Sequence, residues 1–181
     1  MKARRASRPA LTFARRARAI RLLVLDVDGV LTDGRLHYGP AGEEAKVFHV
    51  QDGFALVGAR RAGLRIAVLS SRASAAVSRR MAELGVQEVH QGVANKGEVL
   101  AKLLERIGVG PEEVAYMGDD IPDLPLLISV GLALAPGDAA REVKGVAHWV
   151  ARRAGGAGAV REAVEAILRA RGAWPPTGTG T

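Results

Sequence analysis

The sequence predicts an α/β fold in which a doubly wound parallel sheet carries a small β-hairpin flap. Short apolar segments with β character alternate with longer segments of helical character, as they do in strand–helix–strand units. Residues 22–25 are continuously apolar, which is typical of a strand buried on both faces of a parallel sheet. Asp26, Asp28 and Gly29 follow that strand directly, at the sheet edge where open α/β proteins bind ligands. Side chains two apart on an extended chain point the same way, so we expect both carboxylates to face one point.

The hairpin flap is predicted over residues 33–50. Strand-like segments at 36–38 and 46–50 flank a turn that is rich in Gly and Pro, which is the usual pattern of a β-hairpin. Directly after the flap, Asp52 is the expected N-cap of a helix over 53–61.

The rest of the chain alternates regularly between helix and strand, without an internal repeat. Asn95 is placed to cap one helix, and Pro122 lies near the first turn of another. Together the segments indicate a Rossmann-like sheet with helices on both faces. The predicted strands are 22–26, 64–69, 88–90, 114–117, 132–135 and 148–150, and the predicted helices are 13–19, 53–61, 73–84, 95–107, 122–128 and 160–171.

We expect one domain over residues 13–172, because 181 residues are enough for a single sizeable core. A disordered basic arm over 1–12 precedes it, and a flexible tail over 173–181 follows it, with Trp174 as an anchor. The first 21 residues hold eight of the 26 basic side chains and no acid. Such a segment can bind nucleic acid or anionic lipid and shares its composition with transit peptides. We favour a solubilising extension and do not expect nucleic acid as a partner.

The composition excludes several classes of function. The chain has no Cys, which rules out disulfides, thiol catalysis and Cys-ligated zinc. No apolar run approaches the roughly 20 residues that span a bilayer. No apolar signal-peptide core precedes the first strand, so we expect a cytoplasmic protein.

Polar side chains also follow other predicted strands. Because parallel strands end at one edge of a sheet, we expect these groups to gather with Asp26 and Asp28. The carboxylates offer hard oxygen ligands without His or Cys, a set that suits Mg²⁺ rather than zinc. The groups are Ser70, Ser71 and Arg72 after one strand, Lys96 at the start of a helix, and Asp119, Asp120 and Asp123 after another strand.

This combination predicts the Mg²⁺-dependent hydrolysis of a phosphate monoester. Lys96 and Ser70 would supply the charge and the donor that a phosphoryl group needs. One carboxylate can attack phosphorus while the second moves the proton of the leaving group. A calcium loop is the poorer interpretation of Asp26-x-Asp28-Gly29, because apolar residues occupy its ligand positions and no suitably spaced Glu follows.

The quoted residues resemble the haloacid dehalogenase superfamily. Asp26-Val27-Asp28 matches its first motif, Ser70 the second, Lys96 the third, and Gly118 to Asp123 the fourth. The resemblance implies that Asp26 is the nucleophile and Asp28 the general acid/base. It implies that Mg²⁺ binds the Asp26 side chain, the Asp28 backbone carbonyl and Asp119. The implied substrate-binding residues are Ser70, Ser71, Arg72, Gly29 and Thr32, with Arg72 reading a substrate carboxylate.

Within that superfamily the chain is most similar to the branch of 3-deoxy-D-manno-octulosonate 8-phosphate phosphatases, enzymes of lipopolysaccharide precursor synthesis. The branch-like stretches are 28–34, 48–53, 91–96 and 155–162. The resemblance implies a homotetramer, in which a neighbour's hairpin closes each site in place of a cap domain and the C-terminal tail folds over it. Phosphatases of sialic-acid-type nonulosonate 9-phosphates share these stretches, and a non-catalytic sugar-phosphate-binding module is the alternative from another class.

One position departs from the branch pattern. The chain carries Gln51 where the branch commonly has a cation before Asp-Gly. We expect Arg60 or Arg61 to compensate for that missing charge.

Overall fold

The computed structural model describes residues 11–176, and a six-stranded sheet forms their centre. Neighbouring strands follow the order β5-β4-β1-β6-β7-β8, and each pair is parallel. The predicted doubly wound sheet with its small hairpin is confirmed. The sheet strands are β1 (Leu22–Leu25), β4 (Arg65–Leu69), β5 (Glu88–His90), β6 (Val114–Met117), β7 (Leu132–Ala135) and β8 (Trp149–Val150), and the hairpin strands are β2 (His37–Tyr38) and β3 (Glu44–Ala45).

Helices cover both faces of the sheet. One buried cluster joins α1, α2, α3 and α7 to one face, and a second cluster joins α4, α5 and α6 to the other. The helices are α1 (Phe13–Ala19), α2 (Val50–Arg61), α3 (Ala75–Glu83), α4 (Lys96–Ile107), α5 (Leu124–Ser129), α6 (Arg141–Val146) and α7 (Ala159–Ala170), with short 3₁₀ turns at Pro111–Glu113 and Ile121–Asp123.

Strand β1 lies in the middle of the sheet and explains the uninterrupted apolar run. Leu23 and Leu25 belong to one core cluster, whereas Leu22 and Val24 belong to the other. All four side chains are fully buried, because alternate side chains of a central strand face opposite layers of helices. A strand with this pattern can lie only inside the sheet, which fixes where the residues after Leu25 emerge.

The hairpin differs in register from the prediction. Its return strand is Glu44–Ala45 rather than 46–50, and it pairs His37 with Ala45. The apolar residues between 46 and 50 suggested a strand, but the chain leaves the hairpin there and enters α2 at Val50. Each hairpin strand is only two residues long, so side-chain contacts with the domain decide where the flap lies.

Two helices differ from the prediction. Helix α2 begins at Val50 rather than at residue 53, and α6 (Arg141–Val146) lies where no helix was predicted. His49, not Asp52, is the N-cap of α2, and its Nδ1 accepts a hydrogen bond from Gln51 N at 3.3 Å. Asp52 lies inside the first turn, buried, and its Oδ1 accepts from Arg161 N at 2.6 Å near the start of α7. By contrast, Asn95 caps α4 as predicted, with Oδ1 accepting from Glu98 N at 3.1 Å.

The ends of the chain are described only in part. Residues 1–10 of the predicted basic arm and 177–181 of the predicted tail lie outside the described residues. Trp174 anchors the described part of the tail, because its ring lies 4.6 Å from the Arg161 guanidinium carbon and packs against the core. In the described range of 11–176, no helix has the length and apolar character needed to cross a bilayer.

Candidate active site

Three carboxylates meet where β1 and β6 end. The two strands are in register, with Leu25 opposite Met117, and Asp26 N donates to Met117 O at 3.0 Å. Asp26, Asp119 and Asp123 each bring an oxygen into a group in which all such atoms lie within 4.8 Å of one another. The parallel pairing of two neighbouring strands therefore builds the cluster that the sequence predicts.

Lys96, the first residue of α4, reaches into this cluster. Its Nζ lies 3.0 Å from Asp26 Oδ1 and 2.8 Å from Asp123 Oδ1, and its side chain is almost fully buried. Tyr116 Oη donates to the same Asp123 oxygen at 2.6 Å, while Asp119 N donates to the other at 3.1 Å. Asp123 thus fixes the ammonium of Lys96 and the backbone of Asp119 together.

Burial and mutual repulsion oppose the ionisation of these carboxylates. Burial, and then the charge of Asp123, raise the pKa of Asp26 to about 6, although Lys96 opposes the shift. Burial, and then the charges of Asp26 and Asp123, raise the pKa of Asp119 to about 7. One ammonium does not neutralise three close carboxylates, so the cluster favours a further cation.

The donor set fits Mg²⁺. Carboxylate oxygens are the hard ligands that this ion prefers, and no sulfur or imidazole belongs to the cluster of described residues. Gly29 keeps the approach to Asp119 open, because a Cβ at this position would lie 2.0 Å from Asp119 Oδ2. Gly29 also has a φ of +83°, a left-handed conformation that other residues adopt at a cost. A side chain at position 29 would therefore disturb the Asp119 carboxylate.

Asp28 lines the same cavity as Asp26 but binds different partners. The strand ends at Leu25, and the chain turns so that Leu31 N and Thr32 N both donate to Val27 O. Because of that turn, the alternation of an extended chain does not continue through Asp28. Its carboxylate forms an ion pair with Lys46 of the flap and lies 3.8 Å from Arg72 Nε. The expectation that both aspartates face one point holds for the cavity but not for their contacts.

The predicted residues converge on one cavity of about 340 Å³ at the carboxyl edge of the sheet. Gly29 and Thr32 are the two predicted residues that do not line it. Gly29 packs directly against the Asp119 carboxylate. Thr32 is buried, and its hydroxyl donates to Val27 O at 3.3 Å, which braces the turn after Asp28. The predicted residues that line the cavity are Asp26, Asp28, Ser70, Ser71, Arg72, Lys96, Asp119, Asp120 and Asp123.

A larger cavity, of about 550 Å³, lies at the amino edge of the sheet near Leu22 and Arg65. Arg60 lines this cavity and donates to Leu84 O at 2.6 Å. Arg60 and Arg61 end α2, whereas Gln51 is in its first turn, about 14 Å away along the helix axis. Neither arginine therefore stands beside Gln51, contrary to our expectation.

The cation beside Gln51 is Arg153, which the sequence analysis missed. Arg153 Nη1 donates to Gln51 Oε1 at 2.9 Å, although 102 residues separate the two. The segment after Arg153 crosses the turn that follows Asp28 so closely that a Cβ on Gly155 would lie 1.8 Å from Gly29 O. A positive charge thus lies next to position 51, on a segment packed against the site.

Two comparisons with known proteins identify the family of this chain. Residues 82–163 match the haloacid dehalogenase-like hydrolases. The chain is also 43% identical over 157 residues to the 3-deoxy-D-manno-octulosonate 8-phosphate phosphatase KdsC of Escherichia coli K12, covering 87% of this chain and 84% of that protein. The chain belongs to the haloacid dehalogenase-like hydrolases.

Solved structures of this hydrolase family superpose on nearly the whole described fold. The 3-deoxy-D-manno-octulosonate 8-phosphate phosphatase of Moraxella catarrhalis, solved with magnesium, phosphate and KDO, has a TM-score of 0.87 at 36% identity, covering 89% of this chain and 92% of its own. The phosphatase of the same name from Yersinia pestis has a TM-score of 0.86 at 39% identity, covering 88% and 86%. These values show that the chain shares the fold of these phosphatases.

Proposed function

We propose that this hydrolase cleaves the phosphate ester of 3-deoxy-D-manno-octulosonate 8-phosphate, yielding the free sugar acid and inorganic phosphate. The observation that carries the proposal is the group of Asp26, Asp119 and Asp123 around the buried Lys96, with Asp26 Oδ1 3.0 Å from the ammonium. The 43% identity to the Escherichia coli enzyme supports the substrate.

In the proposed reaction, a carboxylate oxygen of Asp26 attacks phosphorus. The ester P–O bond breaks as the new bond forms, and the Asp28 carboxyl gives its proton to the departing alkoxide. Asp28 then takes a proton from the water that attacks phosphorus, which breaks the bond to Asp26 and releases phosphate. Both aspartates line the cavity, so each can reach a bound phosphoryl group.

The other groups bind and stabilise the phosphoryl oxygens. Lys96 supplies a positive charge beside Asp26, and the Ser70 hydroxyl can donate into the cavity that it lines. Mg²⁺, when held by the Asp26 and Asp119 side chains and the Asp28 backbone carbonyl, supplies charge neutralisation for the phosphoryl group. Arg72, which lines the cavity, binds the carboxylate of the sugar acid, because a planar guanidinium matches the geometry of a carboxylate.

Replacing the nucleophile tests the reaction. Asp26→Asn keeps the size of the side chain but removes the attacking carboxylate, so phosphate release in the presence of Mg²⁺ should fall by at least roughly 10³-fold. Asp33→Asn is the matched control, because Asp33 is exposed, does not line the cavity, and contacts Arg35 through the Arg35 backbone N and Nε. Near-normal turnover by Asp26→Asn would contradict the assignment, and phosphate release by the native protein from any monoester would exclude a purely binding role.

A nonulosonate 9-phosphate is the second candidate substrate. The neutral Gln51 is the observation that raises it, because the branch commonly carries a cation at this position, whereas here the neighbouring Arg153 supplies the cation. Comparing kcat/KM for octulosonate 8-phosphate and nonulosonate 9-phosphate decides between the two. Arg153→Gln, measured with both sugars, shows whether this cation affects the choice.

The proposal includes a homotetramer in the cytoplasm. Tyr38, Val47, Val50 and Phe54 leave an apolar surface on the flap and on the first turns of α2, each more than half exposed. A second copy of the chain can cover that surface and exclude water from the cavity, which strengthens electrostatic interactions inside it. Light scattering of the native protein and of Val50→Asp tests the assembly, and a monomeric native protein would contradict it.

A further inference from the structure

The flap brings its own carboxylate to the mouth of the cavity. Glu44 Oε2 lies 2.5 Å from Arg72 Nη2, and Glu44 Oε1 lies 2.9 Å from Lys46 Nζ. Lys46 in turn binds Asp28, whose other oxygen faces Arg72. The four side chains form a closed ring of alternating charge between the flap and the cavity. Glu44, which the sequence analysis did not single out, lies closer to the Arg72 guanidinium than Asp28 does.

Arg72 is the guanidinium available to an anion in this cavity. Of the described residues that line it, Lys96 and Arg72 are the cations. Lys96 is almost fully buried and bound to Asp26 and Asp123. Arg72 keeps 44% of its side chain exposed and contacts Glu44. A ligand carboxylate entering from solvent therefore meets a guanidinium that already holds a carboxylate.

We propose that Glu44 is an internal competitor for the substrate's carboxylate at Arg72 and thereby limits the affinity for the sugar acid. This rests on the proposed function, in which Arg72 reads that carboxylate. Entry of the sugar acid exchanges one carboxylate for another at the same guanidinium, and Glu44 returns when the product leaves. The exchange weakens the binding of substrate and product alike, so its main consequence is weaker product inhibition.

The contacts of Glu44 support an exchange rather than a permanent brace. Its second oxygen stays with Lys46, so the carboxylate can release Arg72 without losing every partner. It also belongs to a two-residue strand of a short hairpin, which few backbone hydrogen bonds hold in place. A ligand carboxylate therefore competes with one partly exposed ion pair and not with the packed core.

The test measures inhibition by the free sugar acid, 3-deoxy-D-manno-octulosonate, of the hydrolysis of 4-nitrophenyl phosphate, which has no carboxylate. Glu44→Gln removes the competing charge, so the inhibition constant should fall about three- to fivefold, the range expected for a partly exposed ion pair. Glu43→Gln is the matched control. It makes the same change one residue away in the flap, where the Glu43 carboxylate accepts from Ala41 N, and it should leave the inhibition constant unchanged.

A double-mutant cycle with Arg72→Gln separates this role from an indirect effect through Lys46 and Asp28. If Glu44 competes at Arg72, the effect of Glu44→Gln disappears in the Arg72→Gln background. An effect that persists there, an unchanged or higher inhibition constant in Glu44→Gln, or a sugar acid that inhibits none of the variants would overturn the proposal. Failure of the proposed substrate is a separate result: the native protein would then hydrolyse 4-nitrophenyl phosphate but release no phosphate from octulosonate 8-phosphate.

Discussion

Two lysines of this hydrolase each bind two carboxylates, one at the edge of the sheet and one beneath the flap. Lys96 holds Asp26 and Asp123, while Lys46 holds Asp28 and Glu44. The first pair of acids is fixed by the strand end of β1 and the turn after β6, whereas the second network crosses from a short hairpin to the domain. The difference separates an inner network, Asp26, Lys96 and Asp123 at the sheet edge, from an outer network, Asp28, Lys46 and Glu44 beneath the flap.

Lys96→Met should have the largest effect on this comparison. It removes the cation that binds Asp26 and Asp123, and with it the charge that we propose stabilises the phosphoryl oxygens, so kcat should fall by about 10²- to 10³-fold. Phosphate release at saturating Mg²⁺ measures the loss. Lys102→Met is the control, because Lys102 is on the same helix, is exposed, and forms an ion pair with Glu98 away from the cavity. A loss below tenfold in Lys96→Met would show that the inner lysine does not serve the reaction.

The sequence predicted the inner network and missed the outer one for a physical reason. Asp26, Lys96 and Asp119 follow strands or begin a helix, and the parallel order of the strands brings such positions together whatever the loops do. Glu44 and Lys46 depend on the register of a hairpin whose strands are two residues long, and our predicted return strand began too late. The pairing of Gln51 with Arg153 depends on contacts across 102 residues that no local pattern records.

Lys46→Met should have an intermediate effect, on activity more than on folding. Lys46 forms an ion pair with Asp28 and not with Asp26, so its loss should misplace the proposed acid/base without removing the proposed nucleophile. We expect kcat to fall about tenfold, a fraction of what general acid–base catalysis contributes. Because an activated ester needs less help from an acid, 4-nitrophenyl phosphate should lose less activity than the sugar phosphate. Equal losses on both substrates would show that Lys46 does not act through the proton delivered to the leaving group.

The smallest expected effect concerns the response of folding stability to Mg²⁺ and pH. The folded-state pKa values of Asp26 and Asp119, about 6 and about 7, lie above the ordinary value of 3.8. A group with a raised pKa contributes its full stability at low pH, and that contribution is lost as the pH rises through the folded pKa. The metal-free protein should therefore lose stability between about pH 4 and pH 7. Mg²⁺ should raise Tm by a few degrees at pH 8 and by less at pH 5, where protons compete for the same oxygens.

Two variants test whether the effect of Mg²⁺ on Tm depends on the inner network alone. Asp119→Asn removes one of the repelling carboxylates and one proposed metal ligand, so it should raise the Tm of the metal-free protein at pH 8 and abolish most of the Mg²⁺ response. Lys46→Met leaves Asp26, Asp119 and Asp123 in place, and its Mg²⁺ response should match that of the native protein. Calorimetry of the variants at both pH values, with Mg²⁺ or with a chelator, measures the shifts. A Lys46→Met protein that lost the response would mean that the flap, and not only the sheet edge, sets the geometry of the metal site.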